Sequence, residues 1–329
     1  MSSALLSIVI VSFNTRELLR RCLASIVENP AHRLVEHPSA RTAGSPLPPR
    51  SHSQQPIPME VLVVDNTSTD GSAILVEREF PMVRLIRAGA NLGFARATNL
   101  GLRESSGDLL LLLNPDTEVL GDALPTLAGF LDAHRRVAVA GPSLIYPDGK
   151  PQHAAFRFPN LWMSLFDFFP LNHRVIASRL NGRYRMPANG APFAVDHPLG
   201  AAMLVKREAL EGVGWLDESF FMYCEEIDWC IRAKSAGWQI YQVPSARVVH
   251  HAGQSTGQFR EKMLVELHRS RYNLFRKHYS ERFVSAHRAI TRAGVAREMI
   301  RARWMALRGG LSSDELEKRL RAYSTIWSM

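Results

Sequence analysis

Cysteine is scarce in this chain. Its 329 residues hold three, Cys22, Cys224 and Cys230, an odd count at spacings that fit no zinc site, and that usage points to a reducing compartment. No apolar run reaches the roughly eighteen residues that would mark a membrane-spanning helix. The opening stretch MSSALLSIVIVSFN lacks the basic start and cleavage site of a secretion signal and reads as a first strand. There is no zinc-finger spacing and no aromatic motif of the RNA-binding kind. Nucleic acid is therefore the weakest use for a formal charge of +9, and an anionic membrane face or a phosphate-bearing substrate suits it better. Glycine is arranged neither as a Walker loop nor in the dinucleotide-binding spacing.

What is present is organised around Gly107 to Val119, GDLLLLLNPDTEV. The unbroken run Leu109 to Leu113 reads as a strand buried on both faces, as in a parallel sheet covered by helices. Asn114-Pro115-Asp116 then falls at the carboxyl end of a central strand, the edge where open α/β sheets bind ligands. Asp116, on a turn stiffened by Pro115, suits a hard divalent cation holding phosphate oxygens. Capping of a helix after it is the competing role.

The flanking segments alternate in the same manner. Leu5 to Val11 reads as a strand and Arg16 to Val27 as a helix, which puts Ser12 and Asn14 at a strand end beside a helix N-terminus. Residues 29–58 are rich in Pro, Ser, His and Arg, nearly empty of periodic hydrophobics, and read as a disordered insertion. Glu60 to Val64 is a second strand ending at Asp65, a position suited to a ribose or a base. A helix over Ala73 to Glu79 and a strand over Val83 to Arg87 follow. In Asn91 to Leu102, Gly93 allows close backbone approach and a helix starts at Ala95. A helix from Gly121 to His134 and a strand from Ala138 to Gly141 complete this half. Further on, Gly200 and Ala201 open an apolar run where small residues admit a substrate. Trp215 to Arg232 interleaves acids with aromatics, a setting that raises a carboxylate's pKa toward that of a general base. Asp228 and Arg232 are spaced to pair on a helix surface. Short strands are expected at Ile240 to Val243 and before His250-His251, a pair placed for metal ligation. From Leu264 onward the chain is helical and basic, with Ile300, Trp304 and Leu307 on one face among the arginines from Arg288 to Arg308, a pattern shared by membrane-surface helices and by solvated ones.

SIVIVSFNT, VVDNTSTDGS, NLGFARATNLGL, LLLLLNPDTEV, GAAMLVKREAL, FFMYCEEIDWCIRAKSAGW and RVVHHAGQST resemble, in order, the motifs of family-2 glycosyltransferases of the rhamnosyltransferase-like group. The resemblance implies an α/β fold of GT-A type, a Rossmann-like, mostly parallel sheet flanked by helices, over residues 1–264, with a helical basic extension over 265–329. It implies that Ser12, Asn14 and Asp65 contact the nucleotide, and that Asn91, Gly93 and Asn99 flank its diphosphate. Asn114 stands where the family's metal motif has its first Asp, Asp116 is the charged ligand that remains, and His250 matches the metal-binding histidine, with His251 left open as its neighbour. Glu226 matches the catalytic base, with Glu225 as competitor. The implied activity is inverting transfer, with Mg²⁺ or Mn²⁺, of a sugar, L-rhamnose by preference. The donor is a nucleotide-diphosphate sugar, dTDP-L-rhamnose favoured over a UDP-sugar, and the acceptor is a saccharide or lipid-linked hydroxyl in cell-surface polysaccharide or glycolipid synthesis. Such an enzyme is expected in the cytoplasm, touching the inner membrane face through its basic helices. Two rivals are a sugar-phosphate nucleotidyltransferase, whose glycine-rich basic loop is missing at Ser12 to Glu17, and an inactive nucleotide-sugar-binding module.

Overall fold

The computed structural model describes residues 5–35, 57–169, 172–176, 178–252 and 260–329. The first half contains β1 (Leu6–Ser12), α1 (Arg16–Val27), β2 (His32–Leu34), β3 (Ile57–Asp65), α2 (Ser72–Glu79), β4 (Arg84–Arg87), α3 (Phe94–Arg103) and β5 (Leu109–Leu113), all but β2 as expected. Next come β6 (Thr117–Val119), α4 (Ala123–Ala133), β7 (Val137–Ile145), β8 (Pro151–Gln152), β9 (Ala155–Phe156), α5 (Leu161–Phe168) and α6 (His173–Ile176). The rest is β10 (Phe193–Ala194), β11 (His197–Pro198), β12 (Ala202–Lys206), α7 (Arg207–Val213), α8 (Glu225–Ser235), β13 (Gln239–His250) and three long helices, α9 (Arg260–His278), α10 (Glu281–Leu307) and α11 (Ser313–Trp327).

The main sheet runs β10-β13-β7-β12-β5-β1-β3-β2, with β4, β6 and β8 attached to β3, β13 and β7. Strands β5, β1, β3, β2 and β4 are mutually parallel, as is the β7–β13 pair, while β12 runs antiparallel between β5 and β7. The leucine run shows why the sheet is covered on both sides. Leu109, Leu111 and Leu113 pack with α1, α2 and α4, while Leu110 and Leu112 pack with α3, α7 and α8. A strand with no polar face has to be sandwiched.

Several expectations need correction. The insertion read as disordered over 29–58 contains β2, which pairs in parallel with the beginning of β3 at Ile57 to Met59; residues 36–56 lie outside the described part. The pairing is made by backbone groups, so a strand as polar as His32-Arg33-Leu34 gave no hydrophobic signal. Asp116 is followed by β6 and not by a helix, which removes the capping role. The two short strands expected near Ile240 and His250 are one strand, β13, with an irregular register between Val243 and Arg247. Helix α9 runs Arg260–His278.

Asp228 is not the surface partner the helix spacing implied. It is fully buried, accepting from Arg232 Nε at 2.9 Å. Its other oxygen meets Lys277 Nζ at 2.7 Å and His278 Nε2 at 2.6 Å. It thus fastens α8 to the end of α9. Burial pushes its pKa up, but the hydrogen bonds from Lys277, His278 and Arg232 prevail and hold the carboxyl below its usual range. A carboxyl depressed in the folded state stabilises above its unfolded pKa of about 3.9, and that contribution is lost as the pH falls through the folded value. Asp228→Asn is expected to cost about 3 kcal/mol at pH 7, with the gap to wild type closing in acid; chemical denaturation at pH 7 and pH 3 checks both.

Candidate active site

The strand register assembles the site. Ser12 lies opposite Asp65, and Ile10 opposite Leu113, so the strand ends that carry Ser12, Asp65 and Asn114-Pro115-Asp116 meet at one edge. Because β12 is antiparallel, with Ala202 opposite Leu113, its starting loop with Gly200 and Ala201 lies at that same edge. The Asn114 N–H donates to Ala201 O at 2.9 Å. A cleft with two chambers follows. One, of about 150 Å³, is bordered by Val11, Phe13, Asn66, Asn91, Phe94 and Lys262. The other, of about 190 Å³, is bordered by Asn114, Asp116, Gly200, Glu225, Glu226 and His250. Phe94, Asn114 and Met222 belong to both.

Asp116 is buried, and its Oδ1 lies 3.6 Å from Nε2 of His250, itself buried at the end of β13. His250 Nδ1 lies 3.0 Å from Gln152 Oε1. The neighbouring His251 is directed elsewhere, with Nε2 2.6 Å from Glu118 Oε1, while its backbone N–H donates to Asp116 O at 2.9 Å. Strand alternation separates the two histidines, and the one facing Asp116 is His250. Among the described residues no group of three or more His, Cys, Asp or Glu side chains gathers here. The end of the RVVHHAGQST motif, from Gly253, is outside the described residues.

Glu225 and Glu226 are the first residues of α8. Tyr223 and Cys224 before them both have φ 68°, a left-handed conformation that costs a non-glycine residue about 1–3 kcal/mol and persists only when its surroundings enforce it. Those surroundings are visible. The Phe94 N–H donates to Phe221 O at 2.6 Å, and Ser270 Oγ to Met222 O at 2.7 Å. Cys224 is packed in a cluster with Phe220, Leu274 and Phe275. The turn presents both carboxyls to the second chamber, and Oε2 of each has no hydrogen-bond partner among the described residues. Burial pushes Glu226 up to about 6, against opposing backbone N–H groups at the helix start. Burial and the charge of Glu226 push Glu225 well above the usual carboxylate range. Gly200 sits against this pair: a Cβ there would lie 3.2 Å from Glu226 Cγ and 3.3 Å from its Cδ.

Other expected site residues turn out to build the walls. Gly93 borders the first chamber and also lies against the loop before α8, where a Cβ on it would fall 2.4 Å from Phe221 O. Asn99 is buried within α3, donating to Leu216 O at 2.8 Å and accepting from the Leu216 N–H at 3.1 Å, so it ties α3 to the loop before α8 and borders neither chamber. Asn14 accepts from the Thr69 N–H at 2.8 Å, joining two loops. Asn91 accepts from Asn66 Nδ2 at 3.0 Å and from the Gly93 N–H at 3.1 Å. Ser12 Oγ is paired with Thr15 Oγ1 at 3.0 Å. Asp65 is buried and accepts weakly from the Ser68 N–H at 3.3 Å, while its Oδ1 has no partner among the described residues and stays open to a donor. Residues that the sequence reading passed over are Asn66, which bonds Leu92 and Asn91 across the loop, and Lys262 and Gln152. Only Asn66, beside Asp65 at a strand end, carried any signal.

A mostly parallel α/β sheet with an acid pair, an Asp–His pair and a divided cleft at its carboxyl edge is the architecture of a nucleotide-sugar transferase. The model of glycosyl transferase family 2 matches residues 7–213, and the chain belongs to that family. It is 34% identical over 231 residues to the N-acetylglucosaminyl-diphospho-decaprenol L-rhamnosyltransferase of Mycobacterium tuberculosis, covering 65% of this chain and 74% of that one. It is 28% identical over 188 residues to the rhamnosyltransferase WbbL of Escherichia coli, covering 53% of this chain and 67% of that one. Among solved structures, the mannosyltransferase PcManGT from Pyrobaculum calidifontis, in complex with GDP-Man and Mn²⁺, superposes with a TM-score of 0.55 at 16% identity, covering 98% of this chain and 86% of that one. The fold is GT-A and the protein a glycosyltransferase, which sets aside the nucleotidyltransferase.

The acid pair makes a prediction about stability. A carboxyl raised in the folded state contributes most below its unfolded pKa, about 4.3 for Glu, and that contribution is lost as the pH climbs through the folded value. Glu225→Gln has no proton to lose, so it should raise the melting temperature more at pH 8 than at pH 4. Thermal denaturation at the two pH values decides it; an equal shift at both would show that burial of the charge is not the cause.

Proposed function

We propose that this glycosyltransferase moves L-rhamnose, with inversion, from dTDP-L-rhamnose to a hydroxyl of a lipid-linked saccharide in cell-surface glycan synthesis. One observation carries the mechanism: Glu226, with its raised pKa, borders the same chamber as Asp116 and His250. The activity for which the mycobacterial relative is named supports the sugar and the kind of acceptor.

Glu226 takes the proton of the acceptor hydroxyl, the freed oxygen pair attacks the anomeric carbon, and the bond to the nucleoside diphosphate breaks on the opposite face. A base with pKa near 6 is ionised at neutral pH yet basic enough to accept a proton in the transition state. Glu225 ionises less readily than Glu226, which spares the acid pair a second negative charge. Gly200 leaves the Glu226 carboxyl room to stay where it is.

The Asp116–His250 pair fits a hard divalent cation. It offers a carboxylate oxygen and an imidazole nitrogen, both buried, at a separation of 3.6 Å, a donor set suited to Mn²⁺ or Mg²⁺. Such an ion, held there, would neutralise charge on the departing diphosphate. The Pro115 turn and the hydrogen bond from His251 N–H hold Asp116 in place.

In this reading residues 1–264 are the transferase domain, at work in the cytoplasm, and 265–329 its helical extension. The exposed face of that extension is narrower than its arginine count implies. Arg292 lies over Trp327, and Arg297 donates to Phe168 O at 2.8 Å. Ile300, Trp304 and Leu307 on α10 are 67%, 51% and 87% exposed, with Arg303 and Arg308 exposed beside them. That apolar stripe and its two cations would rest on an anionic leaflet. Flotation with anionic liposomes should show binding at low salt that is lost at high salt and weakened by Trp304→Ala with Leu307→Ala. No binding at low salt removes the membrane role.

Nucleotide release from dTDP-, UDP- and GDP-sugars tests the reaction, with turnover expected on dTDP-L-rhamnose. Turnover should rise with pH through about 6 and then level, because the base must be ionised. Glu226→Gln should lower it roughly a hundredfold or more while donor binding persists. Near-normal turnover in Glu226→Gln, with Glu225→Gln inactive, would assign the base to the other acid.

A further inference from the structure

An imidazole can rotate about the bond to its Cβ, and at 3.6 Å the contact between His250 Nε2 and Asp116 Oδ1 is too long to be a hydrogen bond that would fix it. Another group sets the ring. Gln152 Oε1 lies 3.0 Å from His250 Nδ1, a contact between residues 98 apart in sequence. An amide oxygen accepts and does not donate, so this contact is a hydrogen bond only with a proton on Nδ1. The Nε2 lone pair is then free to face Asp116.

The position of Gln152 is built into the sheet. Leu144 of β7 pairs with Gln152 on one edge and with Val248 of β13 on the other. The Gln152 side chain therefore reaches His250 across β7. The hairpin that delivers it closes through Tyr146 and Lys150, whose backbones are joined at 2.8 Å, and through Gly149 at φ 82°.

We infer that Gln152 is a positioning residue that fixes the tautomer and the orientation of His250 for cation binding. The inference rests on the reading of Asp116 and His250 as cation ligands, and it concerns a residue that touches neither donor nor acceptor in that reading. Loss of such an outer partner weakens metal binding by about 10- to 100-fold.

Titration of the full chain with Mn²⁺ in the presence of dTDP, with free Mn²⁺ followed by electron paramagnetic resonance, is the test. Gln152→Leu should raise the Mn²⁺ dissociation constant about tenfold or more and leave the metal-free melting temperature unchanged. Gln152→Glu keeps an acceptor at the same reach and should stay near wild type. If Gln152→Leu does not fold, Gln152→Asn, one methylene too short to reach Nδ1, takes its place. Wild-type affinity in Gln152→Leu, with binding lost in His250→Ala, overturns this inference alone. Undiminished binding in His250→Ala, or none in the wild type, overturns the cation-site reading and this inference with it.

Discussion

The contact between Gly93-Phe94 and the backbone of Phe221 is the constraint on which the cleft depends. The loop after β4 and the loop before α8 come from opposite halves of the chain, the first tied to the end of β3 through Asn66 and the second to α3 and α9 through Asn99 and Ser270. The Phe94 N–H donates to Phe221 O at 2.6 Å, and only a residue without Cβ allows the approach. That bond seats Phe221 in the wall of the first chamber and Met222 between the two. It also sets the direction from which the chain enters the left-handed pair Tyr223-Cys224 and so presents Glu225 and Glu226. Backbone strain next to a reactive carboxyl is held by contacts on every side, which is how such strain survives folding.

The second organising element is the antiparallel strand β12. A sheet of purely parallel strands would send the loop before every strand to the far edge. Running β12 backward between β5 and β7 brings Leu199, Gly200 and Ala201 to the edge where Asp116 lies. The floor of the second chamber is made this way, and any larger residue at Gly200 would press on the Glu226 side chain, its Cβ 3.2 Å from Glu226 Cγ.

How much of this was legible follows the range of each interaction. The leucine run of β5, the helices α1 and α4 and the acids that open α8 are written in local periodicity and composition, and the ordered motifs named the family. His250 and Asp116 could be paired only through the family resemblance, since the register of β13 on β6 that joins them spans more than a hundred residues. The polar strand β2 and the three residues of β6 carry no hydrophobic pattern. Asn99 misled because a buried amide that spans two segments and one that meets a ligand look the same in sequence; only its bonds to Leu216 tell them apart. Gln152 and Lys262 acquire meaning solely from the partners that the fold gives them.

Asp228 sits two residues beyond Glu226 and holds the end of α9 through Lys277 and His278, while Ser270 of α9 bonds Met222 just before the acids. The turn that carries the reactive carboxyls is therefore clamped from both sides by a helix that a domain diagram would draw as an appendage. The catalytic unit, in mechanical terms, does not end where the sheet ends. Shortening the chain to its sheet would remove the Lys277, His278 and Ser270 partners of Asp228 and Met222, on both sides of the turn that carries the acids.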